Sequence, residues 1–319
     1  MMKISSEKSF IGNRRTSLGM KKDIPILVMM LPGIILTFLF SYLPMFGVII
    51  AFKNINMRDG ILGSAWCGLQ NFKFLFNTSD AYVITRNTVG YNLVFIFVGT
   101  FLNVTLAILM SLLFSKMASK VYQTIMIMPY FLSFVIVSYL VFAFLSMDNG
   151  FLNKHLLPVL GIEPVNWYTT AKPWPIILCI VNFWKWTGYS SVVYLAAISG
   201  IDTQLYEAAE LDGANRWKQI LYITLPSLKT LIVIQTILAV GKILNSDFGL
   251  FYQVPMNSGA LYSTTNTINT YVYNSMVSGG VRSLGMSSAA AFYQSAVGFV
   301  LVLVTNKIVN KIDPESALF

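Results

Sequence analysis

Residues 207–226 read Glu-Ala-Ala-Glu-Leu-Asp-Gly-Ala-Asn-Arg-Trp-Lys-Gln-Ile-Leu-Tyr-Ile-Thr-Leu-Pro, a polar, helix-prone stretch between two strongly apolar segments. Helix formers from Glu207 to Leu211, a glycine at 213, a second helical run from Ala214 and a proline at 226 predict two short helices joined at a bend, with a stop at Pro226. Such an element suits docking at a membrane face; it is too polar to cross the membrane.

The rest of the chain explains the setting. Of 319 residues, 55% are hydrophobic and 11% charged, and the mean hydropathy is +0.66. That leaves too little polar surface for a water-soluble globule and fits a polytopic, all-α membrane protein. The net charge of +9 does not point to nucleic acid, because the sequence has no long basic run and its lysines and arginines flank apolar segments. Cys67 and Cys179 lack metal-ligand spacing and read as unpaired thiols. His155 stands alone in a loop and is assigned no role.

Apolar stretches long enough to cross about 30 Å of hydrocarbon fall near residues 24–52, 88–114, 121–147, 174–199, 228–250 and 289–309. They predict six transmembrane helices. The apolar run after the basic first 22 residues is too long for a signal-peptide core, so it is expected to stay as an anchor. The N-terminal tail, the 115–120 turn, the 200–229 loop and the C-terminal end together carry 13 Lys and Arg, against seven in the opposite loops. The positive-inside rule then puts both termini and the 207–226 element in the cytoplasm. The expected organisation is a cytoplasmic tail over 1–23, a six-helix domain over 24–312 with its loop at 201–227, and a second cytoplasmic tail over 313–319. No phosphate-cradling G-x-x-x-x-G-K-[ST] loop is present: Gly241-Lys242 is followed by Ile243 inside an apolar segment.

Glu207-Ala208-Ala209, with Gly213 four residues on and then Ile223, Leu225 and Pro226, resembles the EAA loop of permease subunits of bacterial binding-protein-dependent ABC importers. Within that family the chain looks like the sugar permeases related to the maltose transporter's larger membrane subunit, in the branch that imports complex oligosaccharides. The stretch Trp66-Cys-Gly-Leu-Gln-Asn-Phe72 and the pair Asn306-Lys307 add to the likeness, which covers residues 25–312. The resemblance implies the type I importer permease fold in a bacterial plasma membrane, and it implies partners. These are a second, homologous permease, a cytoplasmic ATPase dimer that holds ATP and Mg, and an extracellular lipid-anchored binding protein. No cofactor or catalytic residue is expected in this chain.

The resemblance also assigns coupling to the ATPase. Glu207 would pair with a basic residue of the ATPase groove, and Leu225 and Pro226 belong to the same motif. The residue chemistry agrees: Ala208 and Ala209 permit close packing, Gly213 permits a backbone conformation that other residues resist, and Trp217 offers an aromatic anchor. Asp212 beside the glycine reads as a capping or local hydrogen-bonding group, and Glu210 as solvated. The bland alternative is an amphipathic helix lying on lipid headgroups, which would not need the glycine and the Leu-Pro at these offsets.

Polar groups inside a span are costly, about 2.5–3.5 kcal/mol for a central lysine, and so mark polar cavities. Asn182, Lys185, Trp186 and Tyr189 recur at helical spacing and share one face. That face mixes aromatic planes with hydrogen-bonding groups, as a sugar requires. By resemblance, the sugar-contacting positions of the maltose permease fall on Asn182, Trp186 and Tyr189, and in the fifth span on Ala239, Ile243 and Ser246. Ala239 and Ile243 offer no polar side chain, so the neighbouring Lys242, Asn245 and Asp247 join Ser246 as candidates for contact. The competing readings are an interfacial aromatic belt for Trp184, Trp186 and Tyr189, and, for Lys185, snorkelling or pairing with Asp247.

Overall fold

Helix α1, Thr16–Thr37, runs into a π turn at Phe38–Tyr42 and a 3-10 stretch at Leu43–Phe52. The computed structural model, which describes residues 16–56, 58–113, 116–280 and 282–318, makes the part of the chain up to Ile49 one unit and Ile50–Phe319 a second. The span Pro25–Phe52 is apolar and long enough to cross a membrane. Residues 1–15 of the expected N-terminal tail lie outside the described residues.

The second unit is built on α2 (Ser79–Ser111), α3 (Lys116–Ile127), α4 (Phe134–Leu145), α5 (Trp174–Ser199), α6 (Thr203–Leu211), α7 (Arg216–Val240), α8 (Ile268–Gly279) and α9 (Arg282–Ile312). Its strand content among the described residues is one two-residue antiparallel pair, Lys53–Asn54 with Ala65–Trp66. Helices α2 and α5 form the central pair. The core is three buried clusters, with Ile84, Leu244, Ile268 and Ala289 in the first, Val137, Trp174, Leu178 and Leu250 in the second, and Val104, Tyr194 and Leu228 in the third. Lipid tails are as apolar as leucine, so close packing and internal hydrogen bonds must hold such a bundle together. Gly188 illustrates the packing: a Cβ there would run into the Met126 carbonyl, so α5 crosses α3 backbone to backbone.

Three expectations are corrected. The third span is no single helix: Met117–Phe131 and Phe134–Leu145 meet at 97°, with Leu132 extended and Ser133 capping α4 through the Ile136 amide. Pro226 is not a stop either. A π turn at Ile220–Thr224 lies just before it and takes up the lost N–H, so the fifth span starts at Arg216 and ends at Val240, about three turns earlier than hydropathy placed it. Beyond it the chain unwinds through 241–247, and the loop that follows holds α8. At the C-terminal end, Asp313 pairs with Lys229 at 2.7 Å, and the Leu318 amide donates to Asn306 at 2.7 Å.

Candidate functional site

The 207–226 element folds as two helices and an elbow. Asp202 starts α6 by accepting from the Gln204 amide at 3.0 Å, and Asn215 starts α7 by accepting from the Lys218 amide at 3.0 Å. Capping therefore rests on those two residues, while the Asp212 side chain is exposed to solvent. Between the helices Gly213 takes φ +77°. The Ala214 amide reaches back to the Ala209 carbonyl at 2.8 Å, and the Gly213 amide to Glu210 at 3.1 Å. This is the Schellman arrangement, which places a left-handed residue just past the helix end and so favours glycine there. Tyr206 Oη and Thr224 Oγ1, 2.9 Å apart, tie α6 back onto the start of the fifth span.

What the elbow presents to its surroundings is unusual. Glu207 and Ala208 are exposed, Ala209 is half-buried, and Leu211, at 90% exposure, has almost no cover. Leu205 is also open. Glu207 and Leu211, four residues apart, share one face of α6, while Leu205, Ala208 and Ala209 share another. Trp217 is 73% exposed and lies at the mouth of an apolar groove between α2 and α7. Leu225 and Pro226 sit inside the continuing α7 helix.

A second polar assembly lies within the bundle, where the two interrupted spans meet. Lys185 on α5 is only 4% exposed. Its ammonium donates to the carbonyls of Pro129 (3.3 Å), Tyr130 (3.0 Å) and Leu132, the carbonyls left open at the bend of the third span. The same ammonium sits 4.8 Å from the centre of the Phe134 ring. Asp247 accepts from the Gly249 and Leu250 amides at 2.9 and 3.4 Å. The two side chains form no direct ion pair among the described residues. Lys185 thus serves as a positive cap on a helix C-terminus buried in the membrane. The expectation that it faces substrate or pairs with Asp247 gives way to this, because all three of its donors are taken.

Trp186, next to Lys185, and Tyr189, one turn on, meet Tyr130 from the bend. Tyr130 stacks on Tyr189 with centroids 4.0 Å apart and planes 6° apart, and lies edge-on to Trp186 at 5.3 Å. Asn182 is half-buried on this face and Tyr189 is exposed, so the cluster opens outward.

In the unwound 241–247 stretch, backbone carbonyls lose their helical partners, and amide side chains take their place. Asn92 on α2 donates to the carbonyls of Ile243 (2.9 Å) and Asn245 (2.8 Å). Gln294 on α9 donates to Leu244 (2.7 Å), and Asn269 on α8 to Ser246 (2.9 Å). Non-helical backbone at membrane depth is tolerated only with such internal satisfaction. Ser246 is buried and donates to Thr267 at 2.8 Å. Lys242 and Asn245 point outward. Tyr130, Asn92, Asn269 and Gln294 are the residues that the sequence reading passed over. Asn92 and Gln294 were visible as amides within expected spans, a signal of the same kind as Lys185. Replacing Asn92 by Leu would strand two carbonyls at about 1–3 kcal/mol each. The expected result is a fall in unfolding midpoint of several degrees in the purified protein, smaller for Asn92→Gln.

A bundle of apolar helices interrupted at membrane depth, with an uncovered helix–elbow–helix at one face, defines a membrane transport subunit. The sequence profile described as "Binding-protein-dependent transport system inner membrane component" matches residues 99–314, and the chain belongs to that family. It is 36% identical over 90% of its length, and 88% of the relative's, to the polygalacturonan/rhamnogalacturonan transport system permease protein YteP of Bacillus subtilis. It is 30% identical to the lactose transport system permease protein LacF of Rhizobium radiobacter, over 74% of this chain and 76% of the other. Among solved structures it matches a bacterial ABC transporter involved in the import of the acidic polysaccharide alginate, with TM-score 0.81 and 32% identity over 93% of this chain and 98% of the other. The type I importer fold and the permease role expected from the EAA loop are borne out.

Proposed function

We propose that the chain is one of two different, homologous permease subunits of an ATP-driven importer, and that it passes an oligosaccharide through the bacterial plasma membrane by alternating access. The exposed α6 surface from Glu207 to Leu211, held by the Gly213 elbow, carries this reading: it is a fitting without its socket, and the socket belongs to a separate ATPase dimer. ATP and Mg stay on that partner. An extracellular, lipid-anchored binding protein delivers the sugar; a related alginate transporter is described in complex with a pentasaccharide-bound periplasmic protein. The excess of Lys and Arg on the α6 side supports cytoplasmic termini, with the membrane domain spanning 24–312 between the two tails.

The names of the relatives support the sugar class, and the open cluster of Asn182, Trp186 and Tyr189 with Tyr130 offers rings for C–H faces and an amide for hydroxyls. Lys242, Asn245, Ser246 and Asp247 complete the candidate set from the unwound stretch. Tyr189→Ala removes one ring of this cluster, and loss of an aromatic contact to substrate worth about 0.5–1.5 kcal/mol corresponds to up to about tenfold. Uptake of labelled oligogalacturonides into cells should fall by that factor while the subunits still copurify. Unchanged uptake with a lowered unfolding midpoint would return Tyr189 to packing.

A further inference from the structure

Two cavities meet at the base of the coupling element, and their linings differ in kind. The first, about 580 Å³, lies among the ends of α2 and α5 and the starts of α3, α6 and α7. Lys120 and Arg216 line it with Ser119, Gln123 and Thr203, and none of its lining residues is acidic. The second, about 900 Å³, is the groove between α2 and α7, walled by residues such as Phe101, Val104 and Ile232, and it too has no acidic lining. Leu112, Arg216 and Ile220 line both, so the cavity that holds Lys120 adjoins the apolar groove at Arg216.

We infer that this double cavity is a binding site for an anionic phospholipid, with the phosphate between Lys120 and Arg216 and an acyl chain along the α2–α7 groove. Charge complementarity selects the headgroup. Both cations are exposed, neither has an acidic partner among the described residues, and Arg216 makes one long hydrogen bond, to Gln219 at 3.4 Å. Its fork is therefore open to phosphate oxygens. A phosphodiester stays charged at every physiological pH, whereas a zwitterionic headgroup brings its own cation to the site. The groove selects a lipid over a free anion, since its walls lie in segments expected to cross the membrane and it shares Arg216 with the first cavity. A lipid seated there would bridge α2, α3 and α7 beneath the elbow and stiffen the base on which α6 stands. This inference needs only a membrane-embedded chain and holds whatever the cargo.

The test uses the full transporter with its partner subunits, delipidated in neutral detergent and titrated with phosphatidylglycerol, with phosphatidylcholine of the same acyl chains, or with inorganic phosphate. The readouts are unfolding midpoint and lipid adducts by native mass spectrometry. Phosphatidylglycerol should raise the midpoint saturably and leave one adduct that phosphatidylcholine does not. Lys120→Gln should weaken its binding about fivefold, the effect of one cation near a charged leaflet, and Thr105→Trp, which fills the groove, should abolish it. Equal effects of the two lipids would overturn the inference. So would wild-type lipid binding in both variants, an equal shift from inorganic phosphate that survives Thr105→Trp, or no adduct in the assembled complex because a protein partner covers the cavity.

Discussion

Lys185→Met is expected to be the most damaging single substitution in the bundle. The ammonium holds three carbonyls at the bend of the third span, and at 4% exposure the side chain is cut off from bulk solvent. Each orphaned carbonyl costs about 1–3 kcal/mol, and the relief from no longer burying a charge offsets part of that. The expected outcome is loss of most assembled transporter, or a fall of ten degrees or more in the unfolding midpoint of what remains. Lys185→Arg keeps the charge and the donors and should fall between. A wild-type midpoint for Lys185→Met would mean that the bend is held by packing alone.

Gly213→Val should do the reverse, leaving the fold standing and breaking coupling. An added Cβ at Gly213 meets nothing within 4 Å, so no clash destabilises the chain. The strain lies in φ +77°, where a residue with a Cβ pays about 1–2 kcal/mol, and β-branched valine more. Relief of that strain opens the elbow and tilts α6. Transport should fall about tenfold or more, with the chain still inserted at wild-type level and its midpoint little changed. Normal ATPase retention and transport would remove the elbow from the coupling account.

The contrast between these two sites shows what the sequence could disclose. The elbow was legible because its chemistry is local: helix formers and one glycine within a dozen residues. Lys185 was visible as an anomaly, but its partners are carbonyls 53 to 56 residues away, and nothing in a side-chain pattern announces a backbone acceptor. The same holds for Asn92, whose partners lie more than 150 residues on. Hydropathy reports how apolar a segment is and not which way it runs, so the 97° bend and the early start of the fifth span escaped it. Pro226 misled for a related reason: the π turn that accommodates it has no compositional mark.

The central claim is that this chain docks a separate ATPase through α6, and cysteine cross-linking tests it most directly. In a variant lacking Cys67 and Cys179, the free thiols of the described chain, a cysteine at Ala208 is compared with one at Leu62, which is 86% exposed in a loop expected on the other face. In membranes holding the whole transporter, a short bifunctional thiol reagent should join the position 208 cysteine to an ATPase subunit carrying groove cysteines and leave the position 62 cysteine unlinked. No adduct at 208, or equal adducts at both positions, would contradict the account.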